Sequence, residues 1–365
     1  MDNKILYIDF DREKRNTAGA KAPADIAELC SRRGYQKFLI PVFPSNRNKV
    51  IQKVWLATVG VYWWKRLEKI VNKNDIVIYQ HPIIYGKRIS AIMIRKIKKK
   101  KKCKFVAIIH DLETLRGGIH GVVKQKRKTD KFGDTTLLMC FDAVICHNDA
   151  MKKYMMGLGF NEKKLFCLKL FDYLSNYIRP IPKKCTNPTI AIAGNLAIGK
   201  CAYIYDICTK NDNLNLTVNL YGINYEEGKN EDGRIKWHGS FNPEELPEKI
   251  ICDFGLVWDG ISVDSCTGNT GNYLRYNNPH KTSLYLSAGI PVIVWKESAM
   301  ASFIETNKVG ITVDNLHRLD TIISSISEDK YVEMCNNAKL IAKKIQNGMF
   351  FYDAIDAVQA KFGED

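Results

Sequence analysis

The sequence predicts an α/β protein of two successive domains, each a parallel sheet covered by helices on both faces. Across 365 residues, apolar runs of strand length alternate with helical stretches, and near-continuous apolar strands of this kind are typical of parallel sheets. A polar stretch with several prolines, from Phe171 to Pro188, interrupts the alternation and suits an interdomain linker. We therefore place the first domain at residues 1–175 and the second at residues 188–347.

In the first half, each predicted strand is a short apolar run followed by a helix. The strands are Lys4–Ile8, Lys37–Val42, Asp75–Tyr79, Lys104–Ile109 and Ala143–Cys146, and the helices begin near Pro23, include Tyr62 to Trp64, begin near Lys87 and lie around residues 120–138. The loop after the first strand contains Thr17, Gly19 and Lys21. It lacks a full G-x-G-x-x-G fingerprint, but its backbone and lysine could approach a phosphate or a sugar.

Three consecutive strands of the first half are each followed by a histidine and other polar residues. The segments are Gln80-His81, His110-Asp111-Leu112-Glu113 and His147-Asn148. Ligands of parallel sheets bind beyond the carboxyl ends of the strands, so we expect these side chains at one substrate-binding rim. A lone histidine is usually structural, whereas three at one rim are harder to explain by packing.

In the second half, the predicted strands end in glycine or polar residues. The strands are Thr189–Ala193, Leu214–Leu220, Arg234–Trp237, Asp253–Val257, a run ending at Val294 and Val309–Val313, with helices from about 315 to 362. Their ends supply a predicted nucleotide site of Gly194, Asn195, Tyr221, Gly222 and Gly239, and a predicted substrate contact at Asp259. The Gly-, Asn-, Thr- and Ser-rich run from Ile261 to Tyr276 predicts a mobile loop beside that site.

The segment Asn278-Pro279-His280-Lys281-Thr282 predicts a helix that starts at a proline. The first amides of a helix have no intrahelical partner, and the helix dipole is positive there. Asn278, Lys281 and Thr282 would therefore complete an anion site suited to a diphosphate. The alternative is an ordinary helix start with a solvated lysine.

Charge is unevenly distributed along the chain. Residues 1–182 hold 37 Lys and Arg against 16 Asp and Glu, net +21, whereas residues 183–365 hold 18 against 23, net −5. The densest basic run is Arg95 to Lys104. Such a run is most often a solvated face; anionic lipid is the next interpretation, ahead of nucleic acid, which would not explain the acidic second half.

Other features limit the class of protein. No run reaches the ~20 apolar residues of a membrane span, and the first residues do not resemble a signal peptide, so we expect a cytoplasmic protein. The 11 Cys include no C-x-x-C pair, and the seven His show no zinc-type spacing, so we expect reduced thiols and no bound metal.

Several segments carry a resemblance that extends over nearly the whole chain. They are Trp258-Asp259-Gly260, Tyr273 to Lys281 and Tyr285 to Ile293 in the second half, with Gly19 to Pro23, Gln80 to Pro82, His110 to Arg116, His147 to Met151 and Phe171 to Leu174 in the first. The chain resembles bacterial GT-B glycosyltransferases, in the group that includes streptococcal adhesin glucosyltransferases and the β-1,6-galactofuranosyltransferases of O-antigen assembly.

The resemblance implies two Rossmann-like domains facing each other across a cleft. It implies a UDP-sugar donor held by the second domain, an acceptor held by the first, and a last helix, about 348–365, that packs back on the first domain. The expected activity is transfer of a hexose, glucose or galactofuranose, to a saccharide or lipid-linked saccharide, without a metal, by an enzyme that is peripheral at the inner face of the membrane. Homo-oligomerisation stays open.

One departure from the wider class leaves the stereochemistry open. Many retaining GT-B enzymes carry a glutamate pair on the donor sugar, and the corresponding positions here are Leu284 and Tyr276. If the reaction inverts, the general base is one of His110, Asp111 and Glu113; if it retains, His110 stabilises the donor.

Two other functions and one residue role also stay open. A GT-B sugar-nucleotide epimerase and a catalytically silent partner of another transferase are the alternative functions. For Arg116, a phosphate or carboxylate anchor and a plain surface role are equally compatible with the sequence.

Overall fold

The structure is a computed structural model that describes residues 4–11, 18–41, 48–83, 86–117, 133–184, 186–208, 215–229 and 232–364. Within these ranges the chain forms two six-stranded sheets, one in each half of the sequence. All their strand pairs are parallel. The predicted class, two parallel α/β sheets in succession, is confirmed.

The first sheet has the strand order β2-β1-β3-β4-β5-β6. Its strands are β1 (Ile5–Asp11), β2 (Gln36–Pro41), β3 (Ile76–His81), β4 (Lys104–Ile109), β5 (Ala143–Cys146) and β6 (Leu165–Cys167). Its helices are α1 (Ala18–Arg32), α2 (Lys49–Trp55), α3 (Val61–Ile70), α4 (Lys87–Lys101), α5 (Glu113–Arg116), α6 (Asp134–Leu138) and α7 (Asp149–Gly157), with a π-helical turn, Leu56–Gly60, between α2 and α3.

The second sheet has the order β12-β11-β10-β7-β8-β9. Its strands are β7 (Thr189–Asn195), β8 (Thr217–Ile223), β9 (Ile235–Trp237), β10 (Phe254–Val257), β11 (Val292–Trp295) and β12 (Gly310–Val313). The helices that follow β7 are α8 (Ile198–Cys201), α9 (Tyr203–Asp206), α10 (Leu246–Lys249), α11 (Gly268–Tyr273), α12 (His280–Ser287), α13 (Ala301–Asn307), α14 (Leu319–Ser324), α15 (Glu328–Gln346) and α16 (Met349–Glu364).

Helix α12 is fixed closely against the second sheet. A Cβ atom at Gly255, on β10, would lie 2.2 Å from Cγ of Tyr285, so only glycine lets the ring lie flat on the strand. The Tyr285 hydroxyl accepts a hydrogen bond from the Ala193 amide at 2.8 Å and donates to the Ala191 carbonyl at 3.1 Å. The start of α12 is thereby held at the carboxyl edge of β7 and β10.

The last helix connects the two halves. The buried Asp172 carboxylate accepts hydrogen bonds from the amides of Phe350 (3.3 Å) and Phe351 (2.7 Å), which caps the start of α16. From there, Phe351 and Val358 pack into an apolar cluster that contains first-sheet residues. Helix α16 therefore lies against the first sheet although it follows the second in sequence.

Local structure differs from the sequence-based expectation in three places. Helix α1 begins at Ala18 rather than near Pro23, because the small residues before the proline extend the helix. The segment expected as a mobile loop contains α11, whose Tyr273 is 3% exposed, so part of it is a packed helix. Of the helix expected around 120–138, residues 118–132 lie outside the described residues, and α6 begins at Asp134.

Candidate active site

Lys281 lies in the first turn of α12, at the carboxyl edge of the second sheet, with its side chain 11% exposed. Its Nζ donates to the Trp258 carbonyl and to Asp259 Oδ1, each at 2.7 Å. Burial alone would lower the pKa of Lys281, but the Asp259 carboxylate outweighs it and raises the pKa above its ordinary value. The site therefore contains a charged, oriented ammonium group rather than a solvated one.

Asp259 lies between two cations. Besides Lys281, the Nζ of Lys200 is 3.7 Å from its second carboxylate oxygen. The carboxylate therefore orients Lys281 in this structure, and the direct substrate contact predicted for Asp259 stays a prediction.

Several buried polar atoms at the start of α12 have no hydrogen-bond partner among the described residues. They are Oδ1 of Asn277, Nε2 of His280 and Oγ1 of Thr282. Leaving a buried polar group unpaired costs about 1–3 kcal/mol, and such a cluster is uncommon unless a ligand or water satisfies it. Thr282 was predicted for this site; Asn277 and His280 were not, although they lie in the same segment.

His280 is held in its neutral form. Burial, reinforced by the charge of Lys21, lowers the pKa of its imidazole to about 3. Its ring lies 5.1 Å from that of Tyr173 and 5.9 Å from that of Phe171, centroid to centroid. A neutral imidazole can donate to or accept from a ligand hydroxyl without adding charge.

Glycines form the neighbouring edge of the second sheet. Gly194 and Gly222 are paired across β7 and β8, with φ of +124° and +154°. The Gly222 amide donates to the Gly239 carbonyl at 2.7 Å. Among the residues that the structure describes, no atom lies within 4 Å of a Cβ built on Gly194 or Gly239, so the backbone is accessible there.

Two other residues of the predicted nucleotide site have protein partners. The Tyr221 hydroxyl accepts from the Ile251 amide at 3.0 Å. The Asn195 Oδ1 accepts from the Ala197 amide at 3.1 Å and from Asn224 at 2.9 Å. Both residues stabilise the shape of this edge.

On the first sheet, His110 and Gln80 form a pair at the ends of adjacent strands. The His110 Nε2 lies 2.8 Å from Gln80 Oε1; because an amide oxygen only accepts, Nε2 carries the proton. Gln80 is 2% exposed, and the Phe171 ring stacks on the imidazole, with an interplanar angle of 12° and a centroid distance of 5.8 Å. The half-buried imidazole is thus held in one orientation.

Asp111 follows His110 and is partly exposed. Its Oδ2 accepts from Arg116 at 2.8 Å, the side chains being 31% and 53% exposed. Burial raises the pKa of Asp111 above its ordinary value, and Arg116 opposes this rise. Arg116 therefore has an intramolecular partner, and whether it also anchors a ligand stays a prediction.

Glu113 belongs to a separate charge cluster under α5. Lys87 donates to Glu113 and, at 2.7 Å, to Oδ1 of the buried Asp134. His81 Nε2 lies 3.2 Å from the same oxygen. Burial would raise the pKa of Asp134, but His81 and Lys87 hold it below its ordinary range. Lys87 and Asp134 were not predicted, and no local pattern in the sequence marks them.

His147 and Asn278 contact each other across the two halves, and the ligand contacts predicted for them stay predictions. The backbone N–H of Asn278 donates a hydrogen bond to Nδ1 of His147 at 2.9 Å. The other ring nitrogen of His147, Nε2, lies 3.1 Å from the Ile109 carbonyl oxygen. Burial lowers the pKa of His147 to about 3, which keeps it neutral. Both ring nitrogens of His147 thus have protein partners in this structure.

Asn148 and Asn278 complete this connection between the domains. Nδ2 of Asn278 donates to the carbonyls of His147 (2.8 Å) and Lys169 (3.1 Å). Nδ2 of Asn148 donates to Oδ1 of Asn278 (2.7 Å) and to the Tyr276 carbonyl (3.0 Å). Both asparagines therefore join the two rims through hydrogen bonds, and the ligand contacts expected of them stay predictions.

Lys21 also forms hydrogen bonds with other residues of the protein. It is 5% exposed, and its Nζ donates to Asp25 (2.7 Å) and to the Leu174 carbonyl (2.9 Å). Burial raises the pKa of Asp25 to about 6, and Lys21 opposes that rise. Gly19 lies within α1, and Thr17 lies outside the described residues.

A further contact brings the two rims together beside Asp111. Tyr273, on α11 of the second half, accepts through its hydroxyl a hydrogen bond from the Leu112 amide at 3.0 Å. Asn269 donates to the Gly117 carbonyl at 3.3 Å. Asp111 and the His110–Gln80 pair therefore lie on the rim that meets the second half.

Two parallel-sheet domains have facing rims, with an oriented ammonium group on one and a histidine and carboxylates on the other. This is the arrangement of a GT-B glycosyltransferase. The chain belongs to the glucosyltransferase 3-like family. The N-terminal domain of that family matches residues 6–170 and the C-terminal domain residues 190–358. The resemblance inferred from the sequence, and the expectation of a glycosyltransferase, are confirmed.

Individual relatives support the same assignment. Over 361 residues the chain is 33% identical to the β-1,6-galactofuranosyltransferase WbbI of Escherichia coli K12, covering 97% of this chain and 98% of that protein. It is 25% identical to glucosyltransferase 3 of Streptococcus gordonii over 299 residues, 80% of this chain and 83% of that one. The crystal structure of Anabaena HepE with UDP and glucose is similar in fold, with a TM-score of 0.59, 13% identity, and coverage of 98% of this chain and all of that one.

Proposed function

We propose that this glycosyltransferase transfers a hexose, glucose or galactofuranose, from a UDP-sugar to a saccharide acceptor in the assembly of a surface glycan or glycoprotein. The single observation that carries the proposal is the cluster at the start of α12. There a buried ammonium, Lys281, lies among polar atoms that lack partners among the described residues. The names of the relatives support the two sugars, and UDP bound to HepE supports the nucleotide.

On the donor side, Lys281 and the first amides of α12 neutralise the diphosphate. The Thr282 hydroxyl and the His280 imidazole supply neutral hydrogen bonds. The glycine edge at Gly194 and Gly222 lets the nucleotide approach the backbone. Because the positive charge comes from the protein, we propose that the reaction needs no metal ion.

On the acceptor side, His110 and Asp111 are the groups best suited to receive the proton of the attacking hydroxyl in an inverting reaction. The raised pKa of Asp111 strengthens it as a base, whereas Glu113 is held by Lys87. In a retaining reaction, His110 would instead stabilise the donor sugar. Gln80 acts through His110 by fixing its orientation.

The acceptor is a saccharide or a lipid-linked saccharide, and we propose a peripheral location on the inner face of the membrane. Among the residues that the structure describes, no helix is long and apolar enough to cross a bilayer. The net charge of +21 on residues 1–182 supports attraction to anionic lipid.

The donor proposal is tested by calorimetry with UDP and by turnover with a panel of UDP-sugars, with and without EDTA. Lys281→Ala should weaken UDP binding about tenfold and lower kcat/KM about 100-fold, since charge stabilisation of this kind contributes ~3 kcal/mol. Turnover of the unmodified enzyme should be unchanged by EDTA.

The matched control is Lys308→Ala, which removes an exposed lysine paired with Glu333 in the same half of the chain. It should leave both quantities unchanged. Unchanged UDP affinity in Lys281→Ala would show that the diphosphate binds elsewhere, and loss of turnover in EDTA would refute metal independence.

A further inference from the structure

The continuous helical stretch from Lys49 to Ile70 carries an exposed apolar face. Val50, Ile51 and Val54 are 66%, 51% and 59% exposed, and Tyr62 is 55% exposed. No residue of α2 is buried. Positions 50 and 51 each lie within one turn of position 54 on one side of the helix, so Val50, Ile51 and Val54 form one patch. Tyr62 is exposed further along the same helical stretch.

Neither the stability of the fold nor helix propensity explains why aliphatic residues occupy these exposed positions. β-Branched side chains are weaker helix formers than Ala, Leu or Lys, and here they bury little surface. Contiguous exposed apolar patches usually mark a binding surface. The residues are therefore better explained by a partner than by the stability of the isolated chain.

The patch lies among basic side chains. The stretch contains Lys49, Lys53, Lys65, Arg66 and Lys69, all exposed, against a single acidic residue, Glu68. Glu68 is 7% exposed and is neutralised from α4. Its carboxylate is 2.6 Å from Nζ of Lys100 and 3.9 Å from Nζ of Lys96.

These ion pairs bring a second basic segment next to α3. They join the buried side of α3 to the end of α4, where the last turn contains four lysines, Lys98 to Lys101. The basic run singled out in the sequence therefore lies beside the helical stretch that carries the apolar patch. An identical copy of the chain would be repelled by these basic residues, since both surfaces carry the same charge.

A small apolar cavity lies under the same helical stretch. Its enclosed volume is about 30 Å³. One wall is formed by Trp55, Leu56 and Gly60 of the helical stretch, and the other includes Phe10 and Ile83 at the carboxyl ends of β1 and β3. The helical stretch therefore packs beside the carboxyl ends of β1 and β3, the edge of the first sheet on which Gln80 lies.

We propose that this face, Val50, Ile51, Val54 and Tyr62 with their basic border, docks the enzyme on an anionic lipid bilayer. Aliphatic side chains enter the acyl boundary while the lysines bind headgroups, as amphipathic surface helices do. A nucleic acid would leave the aliphatic patch without a partner. The proposal extends the peripheral location proposed above by naming its surface, and it brings the acceptor rim to the membrane.

The test is cosedimentation with vesicles of phosphatidylglycerol and phosphatidylcholine, compared with phosphatidylcholine alone. The unmodified enzyme should bind the anionic vesicles, and less so at high salt. Val50→Ser/Ile51→Ser/Val54→Ser should lower the partition coefficient at least about tenfold. Lys53→Glu/Lys65→Glu/Lys69→Glu should lower it further, since each basic residue near an anionic surface contributes about fivefold.

The matched control is Ile251→Ser/Leu340→Ser, which replaces aliphatic residues of the second half that are 68% and 59% exposed. It should bind vesicles as the unmodified enzyme does. Circular dichroism and UDP calorimetry on every variant separate a lost surface from a lost fold. UDP affinity should be unchanged throughout, so failure of the donor proposal would be seen independently of vesicle binding.

Three outcomes would overturn the proposal. The first is that the enzyme binds neutral and anionic vesicles equally. The second is that neither triple substitution weakens vesicle binding. The third is that the unmodified enzyme does not bind vesicles. In the last case, a shift of RNA or dimerisation that the serine substitutions abolish would reassign the face to that partner.

Discussion

The rim of the second sheet and the rim of the first sheet expose different kinds of chemistry. At the second, glycines form the edge, and the oriented ammonium of Lys281 lies in the same helical turn as side chains whose polar atoms have no partner within the described part of the chain. At the first, the side chains are already paired, as His110 is with Gln80 and Asp111 with Arg116.

Because the two rims are built differently, substitutions should affect them in different ways. A rim built from backbone depends on conformations that only glycine adopts easily, so it should fail through loss of fold. In a rim built from paired side chains, loss of one partner should leave the fold intact and change the pKa of the other partner. The contacts that join the rims should fall between these extremes.

Gly222→Ala should produce the largest effect. At φ +154° the new Cβ would lie 1.8 Å from the Gly194 carbonyl oxygen, and backbone on both sides cannot yield. We expect a loss of more than ~3 kcal/mol in the free energy of unfolding of the second domain, measured by urea unfolding followed by fluorescence. Gly199→Ala, where no atom lies within 4 Å of the new Cβ, should be neutral, and equal stability of the two variants would contradict a backbone-built rim.

Asn278→Ala should produce the next largest effect, because it breaks the connection between the rims. It removes one hydrogen bond each from the His147 carbonyl, the Lys169 carbonyl and the Asn148 side-chain amide, of which the first and the last keep another partner. We expect a loss of about 2–4 kcal/mol in urea unfolding, from the uncompensated Lys169 carbonyl at about 1–3 kcal/mol and from the other lost hydrogen bonds.

The control is Asn269→Ala, which removes a single exposed interdomain hydrogen bond of 3.3 Å. It should cost less than about 1 kcal/mol. If Asn278→Ala were as mild, the two rims would be held together by other contacts.

Acid should weaken the same connection. Burial lowers the pKa of His147 to about 3 from an ordinary 6.5. Between these two pH values the imidazole is protonated in the unfolded chain but neutral in the folded chain. Stability from this group is complete above pH 6.5 and falls as the pH drops towards 3, by about 1.4 kcal/mol per pH unit. His280, with its pKa also lowered to about 3, adds in the same direction.

Urea unfolding at pH 7.5, 6.5 and 5.5 measures this slope. His147→Gln should be less stable at pH 7.5 but should lose less stability on acidification. Asn148→Ala, which removes hydrogen bonds of the same connection without removing a titratable group, should keep the slope of the unmodified chain. An unchanged slope in His147→Gln would mean that this imidazole is not held neutral.

The sequence was sufficient for the fold because burial on both faces leaves a local pattern. Strands such as β3 and β4 are apolar along nearly their whole length, and their neighbours in the sheet need not be known to recognise them. Helix α11 was missed because its run of Gly, Asn and Thr is typical of a loop. It is held instead by Tyr273, packed against the other half of the chain.

The site was predictable only where its signal is local. Lys281 and Thr282 follow Pro279, so their place at a helix start could be inferred. The partners could not be inferred, because Asn278 and His147 are 131 residues apart and Lys87 and Asp134 are 47 apart. Whether a polar side chain faces a ligand or another side chain is decided by such distant contacts.

Arg116→Ala should produce the smallest change in stability and a specific change in activity. The Arg116–Asp111 ion pair is largely exposed on the arginine side, and exposed pairs contribute only about 0–1 kcal/mol. Arg116 nevertheless lowers the pKa of Asp111, so its removal raises that pKa further. If Asp111 is the general base, the acidic limb of kcat/KM against pH should move to higher pH, since more of the carboxylate is then protonated at a given pH.

The comparison with Arg32→Ala decides what such a shift means. Arg32 is 49% exposed and is paired with Glu28 at 3.0 Å on α1, so its removal alters net charge and stability to a similar extent without a contact to Asp111. A limb that moves in Arg116→Ala alone identifies the Asp111 carboxylate as the group whose protonation stops the reaction. A limb that stays fixed in both variants excludes Asp111 as the base and leaves His110, oriented by Gln80, as the first-rim group that receives the proton.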